Sequence, residues 1–230
     1  MLEIEPIAHI FTGFPEKFGI PRQSGLADTV GKIVFEEKYR CDEALRGLLE
    51  FSHIWLIWEF SDISSKRQWS PTVRPPRLGG NKRIGVFATR SPNRPNPLGL
   101  SCVKITSIEK EESGTVIYVS GADIMDNTPI FDIKPYIPFA DKIDDAKGGY
   151  TDETKEYFLN VNIPSEVAEG VPDDILSVIY DLLKHDPRPS YQDDEDRVYG
   201  MSYSGYEVRF CVSDGTLAVS DISLSDVPAD

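Results

Sequence analysis

The sequence predicts a mainly β protein, with an antiparallel β-barrel domain over residues 1–142 and a small α+β domain over 161–230, joined by a linker over 143–160. Three observations predict it. Strand-like runs joined by connections of varied length dominate the first 142 residues, with one short helical pattern among them. No Gly-x-Gly occurs anywhere, so the phosphate-binding fingerprints of doubly wound nucleotide folds are missing. Lys142–Glu156 (KIDDAKGGYTDETKE) is polar with paired glycines, and an amphipathic helical pattern follows it.

Leu2–Ile10 reads as a first strand, with Pro6 marking an edge or a bend. Thr12–Gly25 (TGFPEKFGIPRQSG) is turn chemistry and presents Pro21, Arg22 and Gln23 as a candidate binding loop. Gly31–Glu36 alternates around Ile33 and Phe35 as a strand does. Asp42 opens a short helix whose face is Ala44, Leu45, Leu48 and Leu49. Phe51–Phe60 (FSHIWLIWEF) is an almost unbroken apolar run, which suits a central strand buried on both faces. His53 within it suits a hydrogen-bonded core residue better than a catalytic base.

Gly85–Ser101 (GVFATRSPNRPNPLGLS) concentrates backbone constraint. Pro92, Pro95 and Pro97 each fix φ and remove a donor, so the segment is a stiff loop that carries Arg90 and Arg94. Ser101–Ser107, Thr115–Ser120 and Thr128–Ile133 read as strands, and Gly121–Asn127 (GADIMDN) is a turn with two carboxylates, Asp123 and Asp126. In the second domain, Ile175, Val178, Ile179, Leu182 and Leu183 follow helical spacing after Pro172 and Asp173, and strands follow around Val198–Tyr203, Tyr206–Val212 and Thr216–Val219. That domain's own core is thin and needs support from the barrel or another subunit.

Charge distribution narrows the partners. The net charge is −14, yet Ile63 to Ile108 holds nine Lys and Arg and no Asp or Glu, leaving 15 basic against 38 acidic residues elsewhere. A basic segment in an acidic chain favours an anionic partner. No apolar run reaches the roughly 18 residues of a membrane span, and Met1–Ile10 lacks the basic start of a secretory signal. Cys41, Cys102 and Cys211 lie far apart, which argues for a reduced, cytoplasmic setting and against a zinc site. No nucleophilic triad motif is present.

Four strand-end loops remain, Pro21–Gln23, Ser61–Asp62, Arg90–Leu100 and Asp123–Asp126, and they can share one mouth of a barrel. Carboxylates hold ammonium groups or ribose hydroxyls, and arginine holds a carboxylate bidentately, so a ligand with an amino-acid end and a nucleoside end uses both. Asp123 and Asp126 equally suit a turn that bonds its own backbone.

The segments Glu16–Gly25 (EKFGIPRQSG), Phe51–Trp55 (FSHIW), Pro71–Gly80 (PTVRPPRLGG), Gly85–Ser101 and Asp132–Ala140 (DIKPYIPFA), in that order, resemble the motifs of the TsaA-like family of TrmO-type tRNA methyltransferases. The Asp186–Tyr191 stretch (DPRPSY) resembles the C-terminal domain of its bacterial form. This resemblance implies an S-adenosylmethionine-dependent homodimer that methylates N6 of the threonylcarbamoyladenosine beside the anticodon. It implies a cofactor pocket of Pro21, Arg22, Gln23, Ser61, Asp62, Arg90, Leu100, Asp123, Ile124, Met125 and Asp126. Arg74, Arg77 and Arg94 are candidates for the threonyl carboxylate and phosphates, and Trp69 for stacking on a splayed base or for core packing. No residue stands out as a general base. A noncatalytic barrel that senses S-adenosylmethionine or an anionic nucleotide is the alternative, and methyl transfer separates the two.

Overall fold

The computed structural model describes residues 3–60, 69–75, 78, 82–153, 157–188 and 194–225. Six antiparallel strands close a barrel: β1 (Ala8–Thr12), β2 (Val30–Phe35), β3 (His53–Glu59), β6 (Leu98–Glu111), β7 (Gly114–Ser120) and β8 (Thr128–Pro135), in the order β1-β2-β7-β6-β3-β8 and back to β1. The short ribbon of β4 (Thr72–Val73) and β5 (Ile84–Gly85) stands outside it. Closure leaves no unpaired edge in the barrel. Period-two alternation directs Ala8, Ile10, Ile33, Ile54, Leu56, Val103, Ile117, Val119 and Ile130 inward, where all are buried.

The structure also corrects three readings of the sequence. β3 is buried on alternate residues only, because a barrel wall has one packed face; His53, Trp55 and Ile57 lie on the outer side and are half-buried. The first strand begins at Ala8 rather than Leu2, after Pro6, which cannot donate to a ladder. The expected helix after Asp42 is two 3-10 turns, Asp42–Leu45 and Leu48–Glu50, separated by Gly47 at φ 83, a left-handed conformation that interrupts a helix.

A second sheet has the order β10 (Tyr199–Tyr203), β11 (Tyr206–Ser213), β12 (Thr216–Leu224), β9 (Asn160–Asn162), the last strand running parallel to β12. β9 is too short to stand out in the sequence. Helix α1 (Pro138–Asp141) follows the barrel, α2 (Ser165–Ala168) follows β9, and α3 (Asp173–Lys184) buries Val178, Ile179, Leu182 and Leu183 against the sheet. Phe14 and Ala27, with Phe18 and Ile20 beside them, come from the loop after β1 and complete this core. The barrel therefore lends the second unit an apolar loop, which offsets the small core its own residues can build. The Ser204 amide donates to Gly13 O at 2.8 Å and fixes that loop to the β10–β11 turn.

Candidate functional site

The stiff loop between β5 and β6 is pinned at both ends. Val86 is buried, the Thr89 hydroxyl donates to Val86 O at 2.8 Å, and the Phe60 amide donates to Pro97 O at 2.9 Å. Within it, Arg94 Nη1 donates to the carbonyls of Thr89 (3.0 Å) and Ser91 (3.2 Å), so this guanidinium holds the loop's own backbone. Arg90 is exposed and donates from Nη1 to Gln23 Oε1, which joins this loop to Pro21–Gln23. Gln23 Nε2 in turn donates to Arg22 O at 2.5 Å. The side chain of Arg22 points to the second unit, where Nη2 donates to the carbonyls of Asp186 and Arg188, each at 2.9 Å.

Asp123 lies where these loops meet the barrel. The Ser101 hydroxyl donates to Asp123 Oδ1 at 2.5 Å and accepts from Trp58 Nε1 at 3.0 Å, a relay that begins inside the barrel and ends on the carboxylate. Burial pushes the Asp123 carboxyl above its ordinary value, while the Ser101 hydroxyl and the nearby Arg90 charge pull in the opposite direction. Ser24 ties the same region to β6, its hydroxyl accepting from the Cys102 amide at 3.2 Å, and the Gly25 amide donates to Gly121 O at 2.9 Å. A carboxylate held partly out of water beside a surface guanidinium can accept an ammonium group, which restores the charge balance that burial disfavours.

The structure thus brings together Gln23, Arg90 and Asp123, with Pro21 and Arg22 alongside. Leu100 is 50% exposed on the outer face of β6, paired with Ile57 and one residue from Ser101, so it is the apolar neighbour of this cluster on the other side of the strand. The rest of the Asp123–Asp126 turn is used differently. Ile124 is fully buried in the barrel, its carbonyl accepting from the Thr12 hydroxyl at 2.9 Å. Met125 O accepts from the Thr128 hydroxyl at 2.7 Å, and Asp126 Oδ1 accepts from the Thr12 amide at 2.7 Å. Asp126 therefore closes a turn, whereas Asp123 faces the loops.

Trp69 is 51% exposed and takes no part in either core, and Arg74 is exposed on the β4 side. Ser61, Asp62 and Arg77 lie outside the described residues. Among the described residues, no group of three or more His, Cys, Asp or Glu side chains is placed to hold a metal ion, and no helix is long and apolar enough to cross a membrane. Sequence reasoning missed Trp58, Ser24 and Ser101 as members of the site. Ser101 closes the Gly85–Ser101 motif, but only the barrel's inward register shows that its hydroxyl points to Asp123.

Comparison with known proteins bears on the chemistry. A family model described as the tRNA-methyltransferase O N-terminal domain matches residues 9–142, and one described as the TrmO C-terminal domain matches residues 159–225. A tRNA (adenine(37)-N6)-methyltransferase of Escherichia coli (strain K12) is 36% identical over 226 residues, covering 94% of this chain and 96% of that protein. A putative S-adenosylmethionine-dependent methyltransferase of Pseudomonas aeruginosa is 38% identical over 215 residues, covering 90% of this chain and 91% of its own. The crystal structure of TrmO from Pseudomonas aeruginosa superimposes with a TM-score of 0.76 at 30% identity, covering 97% of this chain and 99% of that one.

Proposed function

This chain belongs to the TrmO family of S-adenosylmethionine-dependent tRNA (adenine-N6)-methyltransferases, and on that premise we propose that it binds its cofactor where Pro21–Gln23, Arg90 and Asp123 converge, with Leu100 on the outer face of β6 as an apolar border. When bound, S-adenosylmethionine supplies an electrophilic methyl group on a sulfonium. The residues present fit such a ligand by their chemistry. Arg90 offers a guanidinium to a carboxylate, Asp123 offers a half-buried carboxylate to an ammonium, and Leu100 and Pro21 offer apolar surface to a nucleoside. Ser61, Asp62, Ile124, Met125 and Asp126 complete the proposed pocket. For Ile124 and Asp126 that part is positional, since both already shape the turn that presents Asp123.

The substrate we propose is tRNA carrying threonylcarbamoyladenosine next to the anticodon. The carbamoyl carbonyl withdraws electrons from N6 and makes its N–H more acidic than that of an ordinary exocyclic amine, so loss of the proton to water or a weak base suffices as the N–C bond forms. This chain's contribution is then to place the two reactants in line, and orientation of that kind supplies about 7–11 kcal/mol of barrier lowering in well-aligned cases. Arg74 and Arg77, with the donors of Arg94 other than the Nη1 that holds the loop backbone, serve the threonyl carboxylate and phosphates, and Trp69, exposed as it is, serves as a stacking surface.

Residues 1–142 form the methyltransferase domain in this proposal, 143–160 the linker and 161–230 the second domain. The working unit is a homodimer. Leu98 on the outer face of β6 is exposed, and Phe139 of α1 is 92% exposed, apolar surface that a second copy would cover. The tRNA substrate and three unpaired cysteines favour the cytoplasm.

The observation that carries the proposed pocket is the meeting of Arg90, Gln23 and Asp123 from three separate loops. Calorimetric titration with S-adenosylhomocysteine tests it. Arg90→Ala should weaken binding by about tenfold, the loss expected for one charge-assisted contact. Unchanged affinity would show that the pocket lies elsewhere.

A further inference from the structure

A buried ion pair in the second unit ends on the barrel's loop. Arg188 Nε and Nη2 donate to Asp186 Oδ1 and Oδ2 at 2.9 and 3.1 Å, and the Arg188 amide donates to Asp186 Oδ1 at 3.2 Å. Both side chains are 9% exposed, and the Arg188 guanidinium lies 5.9 Å from the centre of the Tyr199 ring. Asp186 has a φ of 50°, a left-handed conformation that a carboxylate side chain tolerates better than most. This folded turn brings the carbonyls of residues 186 and 188 to one point, the Nη2 of Arg22.

We propose that Asp186 and Arg188 are positioning residues for the barrel's cofactor site: they fix Arg22, hence Gln23, and through Gln23 the place of Arg90. The proposal rests on the reading that Arg90 and the Pro21–Gln23 loop hold the cofactor. An ion pair is not needed to dock the two units, since Phe14, Phe18, Ile20 and Ala27 already pack into the second core. Burying one costs desolvation free energy that apolar contacts avoid, and apolar replacements of such pairs are often no less stable. What the pair adds is direction. Two carbonyls on a single nitrogen fix the Arg22 side chain, and the Gln23 amide bonded to Arg22 O fixes the next residue against it. The carbonyls of Asp186 and Arg188, 164 and 166 positions from Arg22 in sequence, thereby act on the loop that follows β1.

The test uses the full chain, with affinity for S-adenosylhomocysteine measured by calorimetry and the KM for S-adenosylmethionine measured against kcat with modified tRNA. Asp186→Asn keeps the left-handed turn and one acceptor oxygen but removes the charge, and Arg188→Lys keeps the charge but loses the fork. Arg22→Lys removes the clamp from the loop side and covers the case in which either buried variant fails to fold. Val212→Ala, in the same core but outside this chain of bonds, controls for simple destabilisation. Each of the first three should raise KM and Kd by about tenfold, with kcat at saturating cofactor little changed, while Val212→Ala leaves both constants near those of the unaltered protein. If Arg90→Ala weakens binding but Asp186→Asn, Arg188→Lys and Arg22→Lys do not, the positioning role is wrong. If Arg90→Ala itself has no effect, the pocket reading fails and takes this proposal with it.

Discussion

Asp123 and Asp126 are three residues apart in one turn, and their sequence context does not distinguish them. The structure separates them by the direction of the backbone. Asp126 bonds the Thr12 amide, whereas Asp123 receives the Ser101 hydroxyl and stays above the ordinary carboxylate value through burial. An acid whose pKa is raised in the folded state binds its proton more tightly there than in the unfolded chain. Asp123 therefore favours the fold at low pH, and that contribution is lost as pH rises from the ordinary value of 3.8 through the raised one. Cofactor binding has the opposite sign, because an ammonium requires the ionised carboxylate. Affinity for S-adenosylhomocysteine should fall as pH drops through a window above 3.8, and Asp123→Asn should flatten that dependence while weakening binding by about tenfold at neutral pH. Calorimetry at several pH values checks both, and a wild-type profile identical to that of the variant would remove Asp123 from the site. A second residue-scale expectation concerns Gly99. A Cβ there would overlap the Trp58 ring, so Gly99→Ala must displace the indole that donates to Ser101, at a cost of about 1–3 kcal/mol by denaturant unfolding.

At the scale of elements, what was legible was what the backbone imposes locally. The prolines of Gly85–Ser101 break regular structure and a loop lies there, but it is shorter than the sequence suggests, since Val86–Ala88 makes a 3-10 turn and β6 already begins at Leu98. The Ile175–Leu183 spacing likewise gives α3, whose buried residues are those of the apolar face. Ile179→Ala should cost about 2–5 kcal/mol, since this side chain is fully enclosed between helix and sheet. Chemical denaturation checks it, and a loss below 1 kcal/mol would mean that the helix does not depend on that contact. Less legible were features decided by distant partners. β3 reads as buried on both faces because Trp55 and Ile57 are apolar, yet in a closed barrel they lie outside, where Trp55 donates to Asp141 at 3.2 Å. Arg22 reads as a ligand residue from the turn chemistry of Thr12–Gly25 and the family motif it belongs to, and nothing local shows where its side chain goes. Its bonds to the carbonyls of residues 186 and 188 depend on a unit that begins more than a hundred residues later.

Over the whole molecule, an acidic protein works on an acidic polymer. The net charge of −14 repels tRNA at long range, so approach must be through the acid-free window from Ile63 to Ile108. Binding should therefore weaken steeply with salt, and Arg74→Ala should reduce the slope of log affinity against log salt by about one without altering affinity for S-adenosylhomocysteine. A slope unchanged by that substitution would place the tRNA elsewhere. The same window contains the loop that carries Arg90 and Arg94, so in the proposed assignment a cofactor contact and a tRNA contact share one stiff loop. The barrel's closure and the two cores follow from alternation and helical spacing. How the second unit reaches the loop after β1 does not, because it depends on tertiary contacts that no local pattern encodes. The most direct test of the account is transfer of a labelled methyl group from S-adenosylmethionine to tRNA, with and without the threonylcarbamoyl group beside the anticodon. Label at N6 of the modified adenosine, and none on tRNA lacking that group, is the predicted result; no incorporation into modified tRNA by protein that binds the cofactor would contradict it.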